Sequence, residues 1–281
     1  MSAQATQKIA FALLTLMAVL VVVPIVLVVG YIVVQGLGAI SWEFLTEFPR
    51  NGMKEGGILP AIIGTVLLTF GTAIASIPIA LGAAIYLAEY AADSWLTRTI
   101  RLAIINLAGI PSVVYGLFGL GMFVLFLGFG ASIVAGSLTL GLMTMPVVIS
   151  TAEEALLTVP QRFRVVSRSL GASQWQTVRN VVLPNALPGI LTGVILGLER
   201  AAGETAPILF TAAAFYLPQL PQSAFSPTMA LPYHLFVIAT QVPGMPLQVQ
   251  YGTALVLLVL VLGLNLVATV LRSRFRRRRQ W

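Results

Sequence analysis

The sequence predicts an all-helical integral membrane protein with six spanning helices. Three observations carry that expectation. Of 281 residues, 58% are hydrophobic and only 9% are charged, against roughly a quarter charged in a soluble domain. The mean hydropathy is +0.96, and runs such as 9–34 lack the polar face that a surface helix of a soluble bundle needs. The basic residues gather in alternate connections and at the C-terminus, not along one folded face. The net charge of +7 therefore reads as orientation in a membrane and not as nucleic-acid binding.

The spans are expected at 9–34, 58–88, 100–127, 131–151, 187–214 and 250–271, each long enough for a hydrocarbon layer of about 30 Å. The first is about 26 residues long, longer than the apolar core of a cleavable signal, and no small-residue cleavage site follows it. It is expected to stay as a helix. The outer segment 35–57 carries Trp42, Phe44 and Phe48 among acidic residues, which predicts an interfacial stretch at headgroup level. Pro111, Pro146 and Pro207 fall inside later spans, where breaks are tolerated if the freed carbonyls find another partner or line a cavity.

The loop 215–249 is rich in proline and holds the single histidine, His234, beside Tyr233. His234 is expected at the membrane interface, with no chemistry assigned. Alternating the connections puts Lys8, Arg98, Arg101, the arginines of 162–179 and the tail RSRFRRRR on one side, leaving Arg50 and Lys54 on the other. Both termini are therefore expected to be cytoplasmic, with the tail arginines explained by topology and anionic lipid. The organisation is an N-terminal helix and outer loop over 1–57, a transmembrane domain over 58–272 and a basic tail over 273–281.

The fifth span is interrupted near its centre by Glu199, Arg200 and Glu204. A charge at the middle of a spanning helix costs about 2.5 to 3.5 kcal/mol even on the lenient insertion scale. Arg200 falls roughly 20 Å from the start of its segment, at or just beyond the midplane. Arg200 and Glu204 are four apart and share a helix face, and Gly189, Gly193 and Gly197 form a ladder that admits a neighbouring helix. Such a pair either fixes helix packing or lines the path of a polar solute. Three charges within six residues favour the second.

The connection 152–186 is the longest on the basic side and reads as two short helices. Pro160 suits a first turn, and Phe163, Val166 and Leu170 recur on one face opposite Arg164 and Arg168. Gly171 ends this helix, Ser173 caps the next in a box with Gln176, and Pro184 is expected to stop it. This elbow either lies on the inner leaflet or docks a partner.

The chain offers no catalytic set. With no cysteine there is no disulfide or thiolate metal site, and no metal-ligand or Ser/His/Asp cluster stands out, so no metal and no cofactor is expected. Gly203-Glu204-Thr205 lacks the spacing and lysine of a P-loop. Any ATP used must be hydrolysed by another subunit.

Gly171, nine residues, Val181, one residue, Leu183 and Pro184 together resemble the right half of the signature loop of ABC-importer permeases. The resemblance implies a type I importer permease fold, with Gly171, Ala172, Val181, Leu183 and Pro184 in the coupling loop that seats in the ATPase subunit. The Glu-Ala-Ala naming that loop would fall at Val165, Val166 and Ser167, so its glutamate is missing here, and Glu153 and Glu154 lie too far upstream to replace it.

The stretches 109–123, 139–160 and above all ERAAGETAPILFTAA at 199–213, with ALPYHLF in the last outer loop, are similar to the A-type membrane subunit of the high-affinity phosphate importer. That resemblance implies half of a heterodimeric pore in a bacterial inner membrane, with Arg200 and Glu204 on the path of inorganic phosphate. The implied partners are a C-type permease subunit, a dimer of ATPase subunits and an extracytoplasmic phosphate-binding protein. A permease for molybdate or sulfate is the nearest alternative. A proton-coupled carrier using Glu204 as relay is another, against which the elbow and the missing inverted repeat both count.

Overall fold

A computed structural model describes residues 3–277. Five of its helices are long and apolar enough to cross a membrane, and one further pair of helices, bent by 100°, completes a sixth crossing. The helices are α1 (Ala3–Gly36), α2 (Trp42–Thr46), α3 (Leu59–Ile85), α4 (Trp95–Ala108), α5 (Ser112–Gly119), α6 (Ile133–Leu157), α7 (Gln161–Ser169), α8 (Gln174–Thr177), α9 (Leu183–Gly203), α10 (Ala206–Thr211), α11 (Leu231–Thr240) and α12 (Leu247–Arg277). One antiparallel pair, β1 (Pro49–Arg50) and β2 (Glu55–Gly56), forms a small hairpin. Arg278 and Arg279 of the basic tail lie outside the described residues.

The centre of the molecule is α6, packed between α3 and α9. Hydroxyls inside the apolar α3 are satisfied locally, since Thr65, Thr72 and Ser76 each donate to the carbonyl four residues back. Small residues then let the helices approach. A Cβ on Gly136 would meet Leu68 and Ala212, and one on Gly141 would stand 3.2 Å from Ala75. These contacts advance together in sequence, so α3 and α6 run parallel.

The bent pair α4 and α5 makes one traverse. α4 begins beside the far end of α6, where Arg101 Nε donates to Glu153 Oε1 at 2.8 Å. α5 ends beside the start of α6, with Gly119 against Thr139. Pro111 caps α5 at the bend, and the crossing finishes in a π-turn over Leu120–Phe126. α1 stands apart, seated on α12 through Gly36 against Tyr251 and an edge-to-face Tyr31–Tyr251 contact with ring centroids 5.4 Å apart. Its remaining apolar surface is suited to lipid.

Several expectations need correction. The fourth span continues to Leu157, so the elbow starts at 158 and not at 152. The fifth is two helices, α9 and α10, broken at Glu204 and Thr205. Pro184 does not stop its helix. A π-turn over Val178–Val182 precedes it, shifting the hydrogen-bond register so that Leu183 N–H reaches Val178 O, and the helix continues from Gln174 to Gly203. Phe44 is not interfacial but packs inside with Met53 and Ile58, whereas Trp42 is fully outward. His234 is likewise buried, only 2% exposed, in the core formed by α11.

Candidate functional site

The glycine ladder places the charges of α9. A Cβ on Gly189 would stand 2.5 Å from that of Ala155, one on Gly193 2.6 Å from that of Thr151, and one on Gly197 3.0 Å from Val148. The partners fall in sequence as the glycines rise, so α9 runs antiparallel to α6. Arg200, one turn beyond Gly197, therefore sits about level with the middle of α6. The ladder found in the sequence is the seam that sets this height.

At that height the backbone leaves the helix. Arg200 occupies the last turn of α9 and Glu204 is its C-cap, with φ −76° and ψ 138°. Thr205 is the N-cap of α10, with Pro207 in its first turn. Arg200 Nε lies 3.4 Å from Glu204 Oε1, with side-chain exposures of 37% and 18%. The pair expected from the i, i+4 spacing is thus formed, although Glu204 is reached across a helix end and not along a continuous face. A cation in the last turn suits the negative end of the helix dipole. Irregular backbone at membrane depth is stable only when buried in protein or lining an aqueous cavity.

Glu199 turns the other way. Its Oε2 accepts from Asn265 Nδ2 at 3.1 Å on α12, and its buried Oε1 has no hydrogen-bond partner among the described residues. Tyr115 of α5, which sequence reasoning missed, is buried at the α4–α5 bend. That hydroxyl donates to Leu107 O at 2.9 Å, pinning the α4–α5 bend. Beside it an open apolar groove of about 280 Å³ is lined by Leu107, Val114, Phe118 and Leu142, which suits no ion.

The elbow forms as its residues dictate. Gly171 has φ +86°, its N–H reaches Arg168 O, and Ala172 N–H reaches Ser167 O. Both bonds of the Ser173–Gln176 capping box are present. The arms are linked by a 2.9 Å hydrogen bond between the Ser167 and Thr177 hydroxyls. Val165, Val166, Leu170 and Trp175 are exposed, Leu170 at 84%. Val181, Leu183 and Pro184 lie half-buried in the rod that leads into α9. The elbow and Arg200 therefore share one helical rod of about 45 Å.

One basic residue is not where the sequence pattern placed it. Arg164, expected on the solvent face with Arg168, is buried against Glu89 at 2.6 Å. Its burial had no signal in the periodicity of α7. A glutamate ending an apolar span at 89 was the available clue.

Residues 76–281 match the family described as binding-protein-dependent transport system inner membrane component. The chain is 34% identical over 282 residues to the probable ABC transporter permease protein YqgI of Bacillus subtilis, with 95% of each covered. It is 32% identical to phosphate transport system permease protein PstA 1 of Mycobacterium tuberculosis, covering 93% of this chain and 86% of the relative. With the probable PstA of Methanocaldococcus jannaschii it shares 34% identity, covering 89% and 87%. Among solved structures, the inward-facing MetNI methionine ABC transporter superimposes with a TM-score of 0.63 at 20% identity, covering 78% of this chain and 95% of that one. That likeness concerns the fold.

Proposed function

This chain belongs to the family of binding-protein-dependent transport system inner membrane components, and from that premise we propose that it forms half the pore of an ATP-driven phosphate importer, with Arg200 and Glu204 on the anion's path. As a permease of this family it works with an ATPase subunit and a second permease subunit. The finer reading adds a dimer of ATPase subunits at the elbow, a C-type permease as the other half of the pore and an extracytoplasmic phosphate-binding protein at the hairpin end. Both termini then face the cytoplasm, as the arginine distribution favours.

The observation that carries the reading is the Arg200–Glu204 pair at a helix break halfway along the central bundle, held by a single contact of 3.4 Å. A guanidinium never loses its charge and presents paired donors to oxyanion oxygens. Glu204 occupies one of those donors when no anion is present and withdraws its hold when phosphate arrives. Binding is thus strong enough to admit the ion and weak enough to release it. Arg200 is more than one-third exposed on a spanning helix of the isolated subunit, and lipid is a poor neighbour for it. The second permease subunit covers this face and closes the path.

Proteoliposomes holding the full complex test the reading. With ATP inside and loaded binding protein outside, radioactive phosphate should accumulate without any ion gradient, and excess sulfate or molybdate should not suppress it. Suppression by either would reassign the cargo, and uptake that needs a proton gradient would reject the ATP-driven class.

A further inference from the structure

The end of α3 is a junction that the proposed transport site does not use. Over Tyr86–Tyr90 the helix widens into a π-turn, and helix ends leave carbonyls without intrahelical partners. Two of them are taken by neighbouring elements. Leu87 O accepts from Arg101 Nη2 of α4 at 3.0 Å, and Arg101 in turn pairs with Glu153 of α6 at 2.7 Å. Glu89 O accepts from Gln174 Nε2 of α8.

The carboxylate of Glu89 takes the remaining arm. It receives Arg164 Nε at 3.1 and 3.2 Å and Arg164 Nη2 at 2.6 Å, a forked arrangement that fixes angle as well as distance. Only 3% of the Glu89 side chain and 7% of the Arg164 side chain are exposed. The same guanidinium donates to Val159 O and to Leu156 O at the end of α6. Both arms of the elbow are therefore tied to one residue, α7 through its carboxylate and α8 through its carbonyl. The arms are also tied to each other by Ser167 and Thr177.

We propose that Glu89 is a positioning residue for energy coupling: by holding Arg164 and Gln174 together it makes the elbow move as one body with the ends of α3 and α6. A push on the exposed apolar face of α7 would otherwise swing that arm about Gly171 and be lost, because only α8 continues into the rod of α9. Through the junction it reaches α6, against which the glycine ladder of α9 and its Arg200 are packed. A buried pair of this kind adds little net stability compared with apolar side chains of similar volume, and it supplies a fixed geometry. Among the described residues this is the ion pair that holds α7.

The inference rests on the proposed importer reading, and wild-type complex separates the two. If wild type shows no stimulation of ATP hydrolysis by loaded binding protein, the importer reading fails before Glu89 is tested. If it does, the ratio of stimulated to unstimulated hydrolysis per assembled complex should fall at least about fivefold in Glu89→Gln, with the ATPase subunit still co-purifying in normal proportion. Should the unpaired Arg164 prevent assembly, Glu89→Leu with Arg164→Met removes both charges of the pair and should assemble yet remain uncoupled. Gln174→Ala alters an exposed residue and should lower the ratio less, in the same direction. A wild-type ratio in the assembled variants would overturn the proposal, because a purely structural pair would change only the amount of complex.

Discussion

Gly193 of α9 faces Thr151 of α6 so closely that a Cβ added to the glycine would stand 2.6 Å from the threonine Cβ. Real side chains do not approach to that distance, so the two helices can hold their present separation only while position 193 has no side chain. The height of Arg200 beside α6 depends on this seam.

Gly193→Val should therefore spread α6 from α9, with an overpacking cost of about 1–3 kcal/mol. Gly263 of α12 has nothing within 4 Å of an added Cβ, and Gly263→Ala should be neutral or slightly stabilising. Thermal unfolding of the two variants in detergent checks the contrast. Equal melting temperatures would contradict the seam.

At Gly171 the constraint is conformational and not steric. Its φ is +86° and an added Cβ would meet nothing within 4 Å. Gly171→Val should cost about 1–2 kcal/mol in the elbow through backbone strain and lower binding-protein stimulation of ATP hydrolysis. Gly171→Asn, which tolerates the left-handed region better, should retain more of it. Stimulation ratios per assembled complex measure this, and identical ratios for glycine, asparagine and valine would remove the turn from coupling.

His234 supplies a pH dependence. Burial in the core around α11 pushes its pKa down from 6.5 to about 4, and neither ring nitrogen has a hydrogen-bond partner among the described residues. The folded protein thus keeps the ring neutral, while the unfolded chain protonates it below about pH 6.5. Stability is complete above that pH and is lost as pH falls towards 4, by up to about 3 kcal/mol. His234→Leu should flatten melting temperature against pH across this window. An unchanged slope would show that other groups carry it.

Much of this was legible because the determining interactions are local. The spans follow from length and hydropathy, Gly171 and the Ser173–Gln176 box from turn chemistry, and the ladder of Gly189, Gly193 and Gly197 from its spacing. What escaped depends on contacts distant in sequence or on helix register. The burial of Arg164 is decided by Glu89, 75 residues away. Phe44, among acidic residues, and His234, beside Tyr233, read as interfacial in isolation, and only the packing of the hairpin, α3 and α11 shows them inside. Pro184 reads as a stop unless the preceding π-turn is known. The break at Glu204 was hidden within an otherwise apolar run.

Radioactive phosphate uptake, normalised to assembled complex, in Arg200→Gln, Arg200→Lys and Glu204→Gln decides whether the pair lies on the anion's path. Arg200→Gln removes the fixed charge and should abolish uptake, while Arg200→Lys keeps the charge without the fork and should retain part of it. Glu204→Gln frees the guanidinium from its internal competitor and should slow uptake while phosphate is retained more strongly by the complex. If instead uptake per assembled complex stays at the wild-type value in all three, and only the amount of complex falls, the pair is a packing salt bridge and the account of the anion path is wrong.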